Sequence, residues 1–573
     1  MKTFNQLKLN LKKDFSSFKT IKLAVLGDSS TQFLVYALKA AAYEYQLSLN
    51  VWEADFNQIE SVIIDENSEL YRFNPDIVLI FHSSHRMLER YNKRNPDTFS
   101  KFAEDHVSHL KILTETVKER IQSKIICYNF NEIDDAVFGN YGNTIATSFL
   151  FQLRKINYEL MMFAADNQGF FICDLSSIQN RVGRQTFFQP SIYINTDMVL
   201  SMDVLPEIAY RTLDIVAAFQ GKIRKCVILD LDNTVWGGII GDDGLENIQI
   251  GQLGIGKAFT EFQYWIKKLK SRGIIVCVCS KNTESIAKEP FLSHPDMVLR
   301  LEDISVFVAN WNNKVDNIHF IQETLNIGFD SMVFLDDNPF ERNMVREQIP
   351  EITVPELPED PANYLEYLYG LNLFETTSFS DEDVQRTALY KADAERTNLK
   401  QQFGKESQYL TSLGMTSLVE PFNKFNTPRV AQLSNRSNQF NVRTVRYTES
   451  EIASMAQSAK HFSFTFTLDD KFGSNGLVCV ILLVEESEHT AFIDSWFMSC
   501  RVLKRTMENF ALNTIVSELK TRGYSRIKGE YIPTPKNGMV KDFYQDLGFQ
   551  FNDGFWFLEL GGFNERETYI TKR

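Results

Sequence analysis

Cysteine is scarce and scattered. Seven thiols occur in 573 residues, none in a metal-type CxxC pair, which argues against a thiolate zinc site or a disulfide framework. Cys277 and Cys279 alternate along IIVCVCS, the pattern of packed thiols rather than ligands. Positive charge is also in deficit: the formal net charge is -14 and the pI about 5.3. Nucleic acid is therefore not expected as a main partner, leaving only a local basic patch open. No apolar run is long enough to span a bilayer. The opening MKTFNQLKLNLKKDF carries charge but no apolar h-region, so no secretion signal is expected. Together these absences predict a cytoplasmic location. There is no internal repeat and no low-complexity segment.

What is present is length and a globular mixture. A chain of 573 residues exceeds one core and suits about three or four domains. Hydrophobic residues make up 44% and charged residues 23%, as in soluble globular proteins. Over residues 1–220, the apolar runs IKLAVLGDSS, PDIVLIFHSS, KIICYNFN and FFICDLSSI alternate with helical stretches such as TQFLVYALKAAAYEY. That alternation predicts a parallel α/β sheet. A second α/β block covers 221–372, with strands in CVILDLD, IIVCVCSKN and SMVFLDDNP. Its helices include KAFTEFQYWIKKLKSRG and NKVDNIHFIQETLNIG, the latter expected to close on its glycine. Residues 373–408 read as a charged helical connector. Residues 409–573 read as a mixed α+β block, with a hairpin in FTFTLDDKFGSNGLVCVILLVEE and a long helix in TMENFALNTIVSELKTRGY. Strand signals return in RIKGEYIP and FWFLEL.

Reactive residue types gather at the strand ends of the second block. One strand ends in Asp230-Leu-Asp232-Asn-Thr234, the next in Ser280-Lys-Asn282, and the third in Asp336-Asp337-Asn338; Lys314 opens a helix between them. Ligands of open α/β sheets sit at such carboxyl ends. Converging carboxylates repel, and a divalent cation relieves the repulsion. An oxygen-rich set of Asp230, Asp232, Asp336 and Asp337 suits magnesium. Asp230 can attack phosphorus to form an aspartyl phosphate. Asp232 can protonate the leaving oxygen and then activate water. Ser280 and Lys314 can neutralise phosphoryl oxygens, with Thr234 and Asn282 as further substrate-binding candidates. Each element alone also reads as a turn with acidic caps; the ordered set is what carries specificity.

That ordered set (strand-DxDxT, strand-S, K before a helix, strand-DD) resembles the haloacid dehalogenase (HAD) superfamily. VILDLDNTVWGGIIGDDGLENIQIG, VCSKN, HPDMVLRLEDISVFVANWNNKVDNI and VFLDDNPFERNMVREQIPEITVPELPEDP resemble its FkbH-like branch, subfamily IIIC. The resemblance implies a Rossmann-like parallel sheet with Asp230 as nucleophile and Asp232 as acid/base. It also implies Ser280 and Lys314 as phosphate binders, with Asp336 and Asp337 completing a magnesium site. Only about fifty residues separate Asp230 from Ser280, too few for an ordinary cap domain. WGGIIGDDGLENIQIG reads instead as a flap hairpin with glycines at its turns. Trp236 reads as a packed aromatic or as a substrate contact.

In the first block, LGDSS after a strand resembles SGNH-type esterases, with Ser29 in the nucleophile position. That family's late histidine is missing, since none lies between His109 and His294, and FHSSH replaces the expected GxND. His82 and His85 are left as improvised bases; otherwise Ser29 and Ser30 cap the next helix, and the domain is a degenerate hydrolase that binds or positions. The last block resembles the GNAT acyltransferase fold, whose glycine-rich turn presents N–H groups to a pyrophosphate. Here that turn is CRVLKRTMENFAL, with Lys504 and Thr506 where glycines are expected. Phosphopantetheine on a carrier protein is a replacement for CoA in this reading. Cys500 stands before the basic turn, either as a thiolate acyl relay or as a buried inert thiol. LSNRSNQFNVRTVRYT and YIPTPKNGMVKDFY match FkbH-like C-terminal regions. Asn438, Gln439 and Asn441 there either bind a polar substrate or are surface loop residues.

The resemblances together imply an α/β multidomain chain. It comprises an SGNH-like α/β domain at 1–220, a HAD-like phosphatase domain at 221–372, a connector at 373–408, and an α+β GNAT-like domain at 409–573. The implied activity is a magnesium-dependent phosphatase coupled to glyceryl transfer from 1,3-bisphosphoglycerate to an acyl carrier protein. The alternatives are a stand-alone phosphatase, an acyltransferase in polysaccharide or nucleotide-sugar biosynthesis, and a non-catalytic assembly protein.

Overall fold

Strands covered on both faces need no polar side, so uninterrupted apolar runs become their centre. In the computed structural model, β1 (Lys19–Gly27), β2 (Leu47–Glu53), β3 (Ile77–Phe81), β4 (Lys124–Tyr128) and β5 (Phe170–Cys173) form a parallel sheet. Their order is β2-β1-β3-β4-β5, and every residue of β3 is buried. The described residues are 2–379, 403–437, 439–487, 489–499 and 502–573, with Ala392, Arg396, Leu399 and Lys400. They divide into two units, Met1–Ala217 and Ala218–Arg573, of which this sheet belongs to the first. Four of its strands match the apolar runs of the sequence. The fifth, β2, is an edge strand of mixed polarity, LSLNVWE, and lacks that signal. Thr31, not Ser29 or Ser30, takes the N-cap position of the helix Gln32–Ala42.

The second unit holds two sheets. In one, β6 (Cys226–Leu229), β7 (Ile275–Ser280), β8 (Val306–Ala309) and β9 (Met332–Leu335) run parallel in the order β8-β7-β6-β9. Alternate residues face opposite layers. Val227, Leu229, Val276 and Val278 pack with Phe259, Phe262 and Ile266 of the helix Gly256–Ser271. Cys226, Ile228, Cys277 and Cys279 pack with Ile318 and Ile321 of the helix Lys314–Leu325. Cys277 and Cys279 are therefore core thiols, and burial pushes the Cys279 thiol well up. β8 is the strand the sequence reading lacked, four residues at the edge. The helix Lys314–Leu325 closes on Asn326 at φ 49°, not on the glycine two residues on.

The other sheet has nine strands. They are β10 (Met415–Ser417), β11 (Val419–Glu420), β12 (His461–Asp470), β13 (Gly473–Ser487), β14 (Thr490–Met498), β15 (Arg526–Gly529), β16 (Gln550–Asn552), β17 (Phe555–Glu559) and β18 (Ile570–Lys572). β12 and β13 form the long hairpin. β14 and β15 run parallel, joined through the helix Met507–Thr521, which makes the sheet mixed, as expected of an α+β block. Most of the stretch 380–402 in the expected connector lies outside the described residues. Among the described residues, no helix is long and apolar enough to cross a membrane.

Candidate active site

The order β8-β7-β6-β9 reverses direction between β6 and β9, which opens a crevice at their carboxyl ends. Asp230 leaves β6 and Asp336 leaves β9, and the backbone N of Asp230 donates to Leu335 O at 2.9 Å. Oxygens of Asp230, Asp336 and Asp337 all lie within 4.8 Å of one another. Lys314 enters from its helix start, with Nζ 3.0 Å from Asp230 Oδ2 and 2.5 Å from Asp336 Oδ2. Burial opposes its charge, but the Asp230 and Asp336 carboxylates outweigh burial and raise its pKa. Burial pushes Asp336 up to about 7, with the Asp230 charge adding to it against Lys314. Asp337 is raised too, by burial and by Asp230. One ammonium thus faces three carboxylates. These hard oxygen donors fit a divalent cation.

Asp232 does not join that set, contrary to the four-carboxylate expectation. Its Oδ1 accepts from Trp236 Nε1 at 2.9 Å and from Ile240 N at 3.0 Å. Its Oδ2 accepts from Asn282 Nδ2 at 3.3 Å. Burial raises its pKa, and the Asp230 charge adds to the shift. Asn282 is thereby a partner of Asp232. Thr234 Oγ1 accepts from Asp337 N at 3.1 Å and donates to Asp337 Oδ1 at 3.3 Å, so it orients a carboxylate. Ser280 is buried at the end of β7.

The stretch after Asp232 is not a two-stranded hairpin. One antiparallel bridge, Gly237 with Gln249, closes a loop that carries a helical turn, Ile240–Asp243. Trp236 is fully buried, which removes it as a direct substrate contact. The glycines answer to close packing. A Cβ on Gly237 would lie 2.8 Å from the Phe259 ring, and one on Gly238 2.5 Å from Asp243 Oδ2. Gly238 also sits at φ 90°, where a side chain strains the backbone.

Sequence reasoning missed the supports beneath these residues. Arg342 is buried and its Nη1 donates to the carbonyls of Asp336 at 2.8 Å and Asp337 at 2.6 Å. Lys281 pairs with the buried Glu341 at 2.5 Å. A basic and an acidic residue on the helix Pro339–Gln348 read as solvated charges; only burial distinguishes them.

The remaining sequence candidates lie in the last block. Cys500 and Asn438 fall outside the described residues. Asn441 is fully buried and so is not a surface loop residue. Its Oδ1 accepts from Thr444 N at 2.8 Å and its carbonyl from Asn537 Nδ2 at 3.0 Å. A cavity of 630 Å³ is lined by Lys400, Lys504, Arg505 and Glu508 together with Leu325 and Asn326. Lys504 and Thr506 take φ of 62° and 60°, so this turn holds left-handed backbone without glycine.

Comparison with known proteins fits this geometry. The family described as FkbH, N-terminal domain, matches residues 22–217. No curated protein matches the chain. A crystal structure of the N-terminal part of protein BF1531 from Bacteroides fragilis, containing a phosphatase domain and complexed with Mg, is 55% identical. It covers 66% of this chain and 100% of its own, at a TM-score of 0.64. The ribosomal-protein-S18-alanine N-acetyltransferase from Escherichia coli is 15% identical over 26% of this chain and 99% of its own, at a TM-score of 0.20. Ard1 from Thermoplasma volcanium is 12% identical over 25% and 97%, at 0.21; likenesses that distant say nothing of chemistry. With the whole of the BF1531 fragment matched at that identity, the chain belongs to the FkbH-like family of the HAD superfamily.

Proposed function

We propose that the chain is a magnesium-dependent phosphatase that acts through an aspartyl phosphate on Asp230. The observation that carries this is the division of labour at the crevice: three carboxylates and Lys314 gathered together, Asp232 held apart. Asp230, Asp336 and Asp337 would hold magnesium, which when bound offsets the negative charge of carboxylates and phosphoryl oxygens. Asp230 attacks phosphorus and the bond to the leaving oxygen breaks. That oxygen takes a proton from Asp232, whose raised pKa suits an acid. Asp232, now ionised, removes a proton from water as the water attacks the phosphoaspartate. Inorganic phosphate leaves and Asp230 is restored. Lys314, with Nζ 3.0 Å from Asp230 Oδ2, aims the nucleophile, and Ser280 at the end of β7 meets a phosphoryl oxygen.

Asp230→Asn should lower phosphate release on the order of a thousandfold or more with the fold unchanged. Asp232→Asn should still release one equivalent of p-nitrophenol from p-nitrophenyl phosphate, whose leaving group needs no acid, and then stall. Steady turnover by the Asp230 variant would reject the mechanism.

The phosphatase works, in this reading, beside glyceryl transfer from 1,3-bisphosphoglycerate to an acyl carrier protein. Support comes from the cavity, where Lys400 and Lys504 stand among side chains of both signs, and from the left-handed backbone that Lys504 and Thr506 adopt where glycines are expected. Cys500 is the proposed acyl relay. The side chains of Lys504 and Thr506 favour a second reading, a stand-alone phosphatase. Incubation with 1,3-bisphosphoglycerate, magnesium and a carrier, read by intact mass, separates the two. A glyceryl adduct on the carrier supports the transferase, and free phosphate without acylated protein supports the phosphatase alone.

A further inference from the structure

The unit Met1–Ala217 holds a polar cluster that the phosphatase leaves unused. The strand order there reverses between β1 and β3, again a ligand crevice at the carboxyl ends. Asp28 and Ser29 leave β1 and His82 leaves β3, each 3% exposed or less. Asp28 Oδ1 accepts from Ser83 N at 2.8 Å. Asp28 Oδ2, Ser29 Oγ and His82 Nδ1 have no hydrogen-bond partner. Leaving a buried polar atom unpaired costs roughly 1–3 kcal/mol, so three together call for an occupant. Arg90 borders them, Nη2 3.8 Å from Asp28 Oδ2, with its side chain 40% exposed. The neighbouring Arg86 is already engaged by the Asp28 carbonyl, Glu89 and Asp197.

The same geometry argues against hydrolysis. Ser29 Oγ reaches no base. His85 is stacked on Phe188 at 4.1 Å, and burial, with Arg184 adding to it, pushes its pKa down to about 4.

We infer that this crevice binds a small hydroxylated carboxylate without covalent chemistry. Asp28 Oδ2 needs a donor, which a ligand hydroxyl supplies. Ser29 Oγ can donate to a ligand oxygen, and His82 Nδ1 completes the set in whichever tautomer the ligand requires. Arg90 offers a planar fork that matches a carboxylate. A phosphate dianion would set two negative charges beside Asp28 against one guanidinium. Asp28, Ser29 and His82 are almost wholly buried and Arg90 is the partly exposed member, so the set suits a compact ligand.

The test is calorimetric titration of the full chain with D-glycerate, a minimal ligand of this class. Glycerol and propionate, lacking the carboxylate and the hydroxyls respectively, serve as controls. Glycerate should bind the native chain and bind Arg90→Gln at least about tenfold more weakly, while phosphate release from p-nitrophenyl phosphate is unchanged. Ser29→Ala, a smaller change, should weaken glycerate in the same direction if Arg90→Gln does not fold. No heat with glycerate, equal binding by the folded variants, or equal binding of either control would overturn the assignment and leave water as the occupant.

Discussion

At the scale of single residues, the candidate site depends on which oxygen faces which partner. Trp236 fixes Asp232 through one hydrogen bond, Nε1 to Oδ1 at 2.9 Å. Trp236→Phe keeps most of the apolar bulk and removes the donor. A hydrogen bond to a charged group is worth about 1.5–3 kcal/mol, so kcat should fall about tenfold or more with KM little changed. A variant that changes KM alone would show that Trp236 only packs. Asp28 makes a different prediction. Burial pushes its pKa up to about 6 against the Ser83 hydrogen bonds and the Arg90 and Arg86 charges. The folded state then holds a proton that the unfolded state has lost. Stability should therefore fall as pH rises from about 4 to about 6 and level off above, by roughly 3 kcal/mol in all. Asp28→Asn should abolish that slope in denaturant titrations; an unchanged slope would assign it to other groups.

At the scale of elements, the loop behind Asp232 is built on close approach. Gly238→Ala places a Cβ 2.5 Å from Asp243 Oδ2, the same oxygen that accepts from Ile239 N at 2.8 Å, and does so at φ 90°. Such strain costs about 1–3 kcal/mol. The variant should lose that much stability in urea and lose activity as well, because Ile240 N in this loop holds Asp232. Full activity would mean that the loop does not set the carboxylate. The elements legible in the sequence were those with continuous apolar runs, β1, β3, β6 and β7 among them. The edge strands β2 and β8 carry half-exposed or very short runs, and their pairing comes from a neighbour already in place. Asn326 took the left-handed cap expected of a glycine because Asn tolerates that region.

At the scale of the whole molecule, the carboxylate cluster lies entirely in the unit Ala218–Arg573. A bound cation stabilises by mass action only the structure that holds it, by about 2.7 kcal/mol at a hundredfold excess over Kd. Chelation should lower the calorimetric transition of that unit and leave that of Met1–Ala217 in place. Equal shifts in both would mean that the units unfold as one.

The sequence by itself determined which residues gather at the crevice. Asp230, Ser280, Lys314 and the Asp336-Asp337 pair each sit at a strand end or helix start that local pattern marks, and parallel strands bring such ends to one edge. It also determined the period-2 packing of Cys277 and Cys279. Only the tertiary structure decided orientation and burial. It turned Asp232 away from the carboxylate set, buried Trp236 and Asn441, and placed Arg342 beneath the Asp336 and Asp337 carbonyls. The reason is physical: a residue's type and spacing say what it can donate or accept, whereas its partner is chosen by segments distant in the chain that fold against it.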